Sequence, residues 1–294
     1  MKVRFWGVRG SIPSPGPKTV RYGGNTTCIE VRTDDDQLII LDAGSGIFPL
    51  SQTLLGELPL HAHIFNTHSH WDHIHGLPFF IPLFIPNNRV TVYGAYDPIT
   101  QKGIEEILNV QLQYRFFPIR ECELKANVNF ITLKEEQIIT LGETTITPIL
   151  MNHPVINFGY RIDCRGKSLF FTGDHETPAN IYDPEDDEFE MYQSLLDQKE
   201  EHMLTLIHGL DLLITDSSYT EAEYNASKKG WGHGTFHSCM QLAEKAAAKK
   251  LILTHHEPTR SDDMLEAVFQ ESLEALTVDV PEIALAREGL TIEW

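Results

Sequence analysis

Thr67-His-Ser-His-Trp-Asp-His73 places three histidines and one aspartate, His68, His70, Asp72 and His73, within six positions. Neutral imidazole and ionised carboxylate are the side chains that bind borderline divalent metals such as Zn²⁺. The preceding stretch, His61-Ala-His-Ile-Phe-Asn66, reads as the end of a strand, and Gly76 and Pro78 follow soon after. The cluster is therefore expected in a loop that closes a strand, where side chains converge instead of alternating between faces. A histidine-rich surface loop would not need so regular a spacing.

The pattern H-x-H-x-D-H resembles the signature of the metallo-β-lactamase-fold hydrolases. The resemblance implies that His68 and His70 hold one metal, while Asp72 and His73 hold a second. It also implies three later ligands at strand ends: a histidine, a bridging aspartate and a last histidine. The matching positions are His153 in Met-Asn-His-Pro, Asp174 in Phe-Phe-Thr-Gly-Asp, and His255 in Leu-Ile-Leu-Thr-His-His. Each follows an apolar run that reads as a buried strand. His256 is the alternative to His255 as last ligand; otherwise it sits behind the ligands or faces substrate. Two divalent ions are implied, Zn²⁺ first, with Mn²⁺ or Fe as alternatives.

Composition narrows the classes. The chain has 294 residues, 41 % of them hydrophobic, enough for a packed core. One domain covering 1–294 is expected, with an acidic helical insert at about 181–208. No apolar run approaches the ~20 residues of a membrane helix, and the first residues lack a signal-peptide core, so a soluble cytoplasmic protein is expected. Cys28, Cys122, Cys164 and Cys239 are widely spaced and read as reduced thiols. The formal net charge of −19 counts against a general nucleic-acid binder. It weighs less against a small anionic substrate, because bound dications dominate the field inside such a site. Lys228-Lys229 and Lys249-Lys250 read as solvated charges.

Strand signals fall at 2–8, 26–33, 38–41, 61–66, 90–93, 128–133, 137–141, 144–150, 158–164, 167–172, 211–215, 250–254, 282–285 and 290–293. Helical patterns fall at 47–56, 97–112, 188–207, 235–249 and 262–275. Periodicity alone gives α/β or α+β; the resemblance implies a four-layer αβ/βα sandwich. Asp183 to Glu201 is strongly acidic but keeps Phe189, Tyr192, Leu195 and Leu196 as an apolar stripe. That segment reads either as a solvated helix face or as a lid or dimer contact.

Bridging by Asp174 requires an ionised carboxylate at a strand end, and Gly173 permits a sharp turn before it. A metal pair with a hydroxide between its ions supplies a nucleophile at neutral pH and polarises the scissile bond. Pro154 biases His153 towards an extended backbone. Gly230-Trp-Gly-His-Gly-Thr235 resembles the H-S-T segment of the phosphodiesterase branch, including ribonuclease Z, with Gly234 in place of serine. His233 is accordingly a candidate catalytic proton donor or phosphate ligand, and Asp72 a candidate base as well as a ligand. Asp42, Gly44 and Gly46 resemble the family's D-x-G turn, expected behind His70. His75, His175 and Glu176 neighbour ligands in sequence and are expected to support them at most.

Phe5-Trp-Gly-Val-Arg-Gly-Ser-Ile-Pro13 and Tyr22-Gly-Gly-Asn-Thr-Thr-Cys28 resemble a bacterial phosphodiesterase-like subgroup. Arg9, Ser11 and Asn25 are candidates to line the substrate pocket, or else belong to a tight structural turn. The expected activity is hydrolysis of a small anionic phosphodiester such as a cyclic nucleotide. Ribonuclease Z-like RNA processing and glyoxalase II-like thioester hydrolysis are the alternatives. The sequence does not give the oligomeric state; the resemblance allows a homodimer.

Overall fold

The computed structural model describes residues 1–294. One seven-stranded sheet has the order β14-β1-β2-β3-β4-β5-β6. It is built from β1 (Lys2–Gly7), β2 (Cys28–Arg32), β3 (Leu38–Leu41), β4 (His61–Phe65), β5 (Arg89–Ala95), β6 (Asn127–Leu133) and the terminal β14 (Thr291–Glu293). The second has the order β13-β12-β11-β10-β9-β8-β7. It comprises β7 (Ile139–Leu141), β8 (Thr144–Met151), β9 (Asn157–Cys164), β10 (Lys167–Phe171), β11 (Leu212–Asp216), β12 (Lys250–Thr254) and β13 (Glu282–Leu285).

The helices are α1 (Ile47–Thr53), α2 (Trp71–Ile74), α3 (Ile104–Asn109), α4 (Phe189–Ile207), α5 (Glu221–Glu223), α6 (Phe236–Lys245) and α7 (Asp262–Ala275). The sheets pack face to face: Phe5, Val31, Ile39 and Phe65 meet Ile146, Tyr160, Ile162, Phe171 and Ile214. Burying each such side chain contributes about 2 kcal/mol. On the outer faces, Ile47, Leu50, Ile104 and Leu108 cover the first sheet, and Phe236, Met240, Leu265 and Phe269 cover the second. This is the four-layer αβ/βα sandwich that the family resemblance implied.

The helix expected over 97–112 shrinks to Ile104–Asn109. Asp97 is the reason: its side chain accepts the amide of Ile99 at 2.9 Å and the hydroxyl of Thr100, so a turn competes with the helix. The helix expected over 47–56 passes into a 3-10 turn at Leu54. Within the histidine loop, the short α2 had no sequence signal. The acidic α4 lies mostly exposed and buries only Ile207 at its last turn. His202 on this helix reaches Glu136 at 2.6 Å. No helix is long and apolar enough to cross a membrane.

Asp35 links the two sheets at the end of the sandwich remote from the histidines. Its carboxylate accepts Thr33 Oγ1 at 2.6 Å within the β2–β3 turn of the first sheet, and Thr144 Oγ1 at 2.6 Å and the Glu143 amide at 2.7 Å from the β7–β8 hairpin of the second. Partial burial opposes ionisation, but these donors hold its pKa well below the ordinary carboxylate range. A depressed native pKa adds stability that is complete above the unfolded pKa, about 4, and is lost as pH falls below it. Asp35→Asn is expected to cost about 2 kcal/mol at neutral pH. Urea unfolding should show that deficit narrowing between about pH 4 and pH 2, and a pH-independent deficit would refute it.

The ends of β3, β4, β8, β10, β11 and β12 all open on the same edge of the sandwich. Parallel pairing aligns β3 with β4, and β10 with β11 and β12. The two antiparallel steps through β9 bring β8 back into the same direction as β10. Side chains just past these six ends converge there, in line with the general placement of sites at the carboxyl ends of strands.

Candidate metal centre and active site

His68, His70, His153 and Asp174 offer ligand atoms that all lie within 4.8 Å of one another; so do Asp72, His73, Asp174 and His255. Asp174 belongs to both groups. Its Oδ2 lies 3.5 Å from His68 Nε2, and its Oδ1 lies 3.3 Å from His73 Nε2 and 3.2 Å from His255 Nε2. One carboxylate therefore presents an oxygen to each side. Gly173 takes φ +60° to turn the chain there. His70 is exposed and His153 half-buried, whereas all four members of the second group are buried. The first group is the open side of the centre.

Supporting bonds leave the other ring nitrogens free. The buried Asp42 accepts His73 Nδ1 at 2.7 Å. It also accepts the Thr67 hydroxyl at 2.9 Å, and that hydroxyl stands 3.0 Å from His68 Nδ1. Thus one carboxylate fixes two imidazoles, one of them through a hydroxyl relay. His153 Nδ1 donates to the Gly232 carbonyl at 2.8 Å. A Cβ at residue 232 would come within 2.2 Å of that nitrogen, and the local φ is +85°, so only glycine fits. Ser218 Oγ stands 3.0 Å from His255 Nδ1. Asp42 and His255, each directly after a strand, adopt φ of 62° and 58°, a left-handed conformation that non-glycine residues rarely take outside constrained sites.

These residues fit divalent ions. The buried His68 Nε2 and Asp174 Oδ1 have no hydrogen-bond partner. His153 Nε2 faces His70 Nδ1 at 3.1 Å, and His73 Nε2 faces His255 Nε2 at 3.3 Å. Two imidazole nitrogens face each other so closely only around a shared proton or a shared cation. The charge balance agrees. Burial alone would lower His73 and His255, yet the Asp174 carboxylate, joined by Asp72 and Asp42 at His73 and by Asp216 and Asp72 at His255, holds both well above an ordinary histidine. Against its own burial, Asp72 is held far below the usual range by His73 and His255. Converging buried carboxylates demand positive charge, and dications supply it.

Sequence reasoning missed Asp216. It is the last residue of β11 and is buried. Its Oδ2 accepts His233 Nδ1 at 2.8 Å, and its Oδ1 lies 3.5 Å from His255 Nδ1. Burial raises its pKa, but His233 and His255 outweigh that and bring it to about 2. The apolar run Leu212-Leu-Ile-Thr-Asp216 carries the same signal as the run before Asp174, a carboxylate ending a buried strand. His233 stacks on His255 with centroids 5.0 Å apart, and its Nδ1 is 3.7 Å from Asp174.

Several expectations need correcting. Asp42 stands behind His73, not His70: His70, at the residue before α2, meets His153 on the open side of the centre, while His73, within the helix, turns in towards the end of β3. Arg9 does not line a pocket. It is completely buried, donating to Gly23 and Arg260 carbonyls at 2.9 and 2.8 Å and pairing with Asp262 at 3.2 Å. Asn25 donates to Glu288 and accepts from Ser45, tying two turns together. His256 is buried with Nε2 bonded to the Ala286 carbonyl at 2.8 Å, so it faces no substrate. Ser11 acts through its backbone, whose amide donates to Asp72 Oδ2 at 2.7 Å. His75 bonds the Trp71 carbonyl. His175 Nδ1 accepts the Asn152 amide at 3.2 Å.

Residues 38–256 match a beta-lactamase superfamily domain. That is more than half of the chain, and the protein belongs to this superfamily. It is a metallo-β-lactamase-fold hydrolase. The chain is 24 % identical to the ribonuclease Z of Agathobacter rectalis over 91 % of its own length and 92 % of that relative. Its fold resembles the metallo-β-lactamase fold protein YhfI of Bacillus subtilis at 20 % identity, TM-score 0.68, covering 100 % of this chain and 99 % of that one. It resembles a diphosphatase of the PhnP family at 20 % identity, TM-score 0.65, covering 100 % and 97 %.

Proposed function

We propose that the protein is a two-metal phosphodiesterase acting on a small anionic phosphodiester, such as a cyclic nucleotide. The observation that carries this reading is His233, held at 2.8 Å by Asp216 and 3.7 Å from the bridging Asp174, in a Gly-His-Gly-Thr segment. A carboxylate-held imidazole beside the reacting centre suits delivery of a proton to a departing alkoxide.

His68, His70 and His153 with Asp174 would hold one ion; Asp72, His73 and His255 with Asp174 would hold the other. Bound there, two divalent ions supply water made acidic enough to attack at neutral pH and charge that stabilises the phosphate oxygens. Zn²⁺ is the first choice by ligand chemistry, with Mn²⁺ and Fe as alternatives. Asp72 serves as a ligand: its Oδ2 already faces His255 at 3.1 Å and His73 at 3.3 Å, with the Ser11 amide at 2.7 Å. The exposed His70 marks the entry side for substrate.

The relatives' names support phosphorus chemistry over thioester chemistry: one is a ribonuclease and another a diphosphatase. The ribonuclease Z relative supports RNA processing as a second reading, against which the charge of −19 weighs. The test is a panel with metal-loaded protein: bis-p-nitrophenyl phosphate, cyclic mononucleotides, S-lactoylglutathione and a precursor tRNA. Turnover of the first two is expected. Thioester turnover without phosphodiester turnover would overturn the proposal, and tRNA cleavage without turnover of cyclic nucleotides would favour the second reading.

A further inference from the structure

Beside His153 and His233 the chain carries an exposed indole on an unusually fixed backbone. Trp231 is 55 % exposed. The amides on either side of it, Gly230 and Gly232, both donate at 2.7 Å to one carboxylate, that of Glu176. Glu176 is itself only 6 % exposed. It also accepts the Tyr224 hydroxyl at 2.6 Å, and its backbone exchanges bonds with Asn152, next to His153. The carboxylate thus clamps the Trp231 loop to the strand ends that carry His153 and Asp174.

Lys228 fixes the ring as well. Its ammonium lies 3.7 Å from the Trp231 ring centroid and 5.2 Å from that of Tyr219. Tyr219 is buried, and its ring meets His233 edge-on at 5.9 Å. Lys228 and Tyr219 thus link Trp231 to His233 through a chain of ring contacts. Lys228 ends a π-helical turn, Tyr224–Lys228, a rare geometry found frequently at functional sites.

An indole left in water while its backbone is held by a buried carboxylate is ordered before any ligand arrives, so stacking on it costs little further entropy. An ammonium beside it offsets, locally, the repulsion that so acidic a protein exerts on an anion. A planar π face, a cation and a phosphate-binding metal pair in this order match one ligand chemistry, a nucleotide. We propose that Trp231 is the stacking platform for the nucleobase of the substrate, with Lys228 seated against the other face of the indole. The inference rests on the phosphodiesterase reading for its orientation, phosphate at the metals and base outward.

Calorimetric binding to the metal-loaded protein tests it, with AMP and ribose 5-phosphate as probes that differ only by the base. Base–aromatic stacking is worth about 1–3 kcal/mol, so wild type is expected to bind AMP about tenfold or more tighter than ribose 5-phosphate. Trp231→Ala should bring AMP down to the level of ribose 5-phosphate and leave the latter unchanged, while Trp231→Phe keeps most of the preference. No preference in wild type, or equal weakening of both ligands by Trp231→Ala, overturns the proposal. AMP preference without turnover of any phosphodiester leaves the platform standing and sinks the hydrolytic reading. Turnover without a preference for the base sinks the platform alone.

Discussion

Asp174→Ala is expected to abolish two-metal binding and to lower phosphodiester turnover by at least about 10³-fold. Asp174 is 1 % exposed and is shared by both ligand groups. Its Oδ2 faces His68 while its Oδ1 faces His73 and His255. Removing it deprives each ion of a ligand and removes a negative charge from between two dications. Metal charge stabilisation is worth several kcal/mol, and each 1.4 kcal/mol is tenfold in rate. Asp174→Asn, which keeps the shape and loses the charge, should fall nearly as far. Metal analysis after exhaustive dialysis, run beside the rate measurement, decides the matter. Two tightly bound ions in either variant would refute the bridging assignment.

The fold was legible because both of its sheets announce themselves. Runs such as Leu38-Ile-Ile-Leu41 and Leu251-Ile-Leu253 are apolar at every residue, and the structure buries each of them, as expected of strands covered on both faces. Glycine turns at 142 and 166, both with positive φ, mark the hairpins β7–β8 and β9–β10. The helices were less legible. The 97–112 stretch has apolar spacing, but side-chain turns at Asp97 compete with it locally. The four-residue α2 is too short to have a period at all. Nothing local says that α4 fully buries only Ile207; that depends on what packs beside it, which pattern does not encode.

In the candidate site the residue types were legible and the supporting contacts were not. Spacing and strand ends sufficed to nominate His68, His70, Asp72, His73, His153, Asp174 and His255, and the structure brings all seven together. Between adjacent histidines, the end of β12 decides: residue 255 enters the cluster and residue 256 turns to the Ala286 carbonyl. Arg9 and Asn25 misled because a polar side chain in a glycine-rich loop looks the same whether it faces a ligand or stitches loops together. Asp216 escaped because a lone aspartate after a strand is common. Its importance comes from His233 and His255, 17 and 39 positions further on, which is a property of the folded chain.

His233→Ala is expected to lower turnover by about 10²–10⁴-fold, the range for a lost general acid, while leaving two ions bound. His233 lies outside both ligand groups that share Asp174 with His68 and His73, and instead joins Asp174, Asp216 and His255. Asp216 orients it through Nδ1 at 2.8 Å, so Asp216→Asn should reproduce part of the loss. The leaving group separates the possible roles. A p-nitrophenolate departs without a proton, whereas a ribose alkoxide needs one. A proton donor therefore predicts a far smaller defect on bis-p-nitrophenyl phosphate than on a cyclic nucleotide. Equal defects on the two substrates would make His233 a phosphate-binding group. Parallel loss of metal and activity would make it a ligand, and either result would remove the observation on which the phosphodiesterase reading chiefly rests.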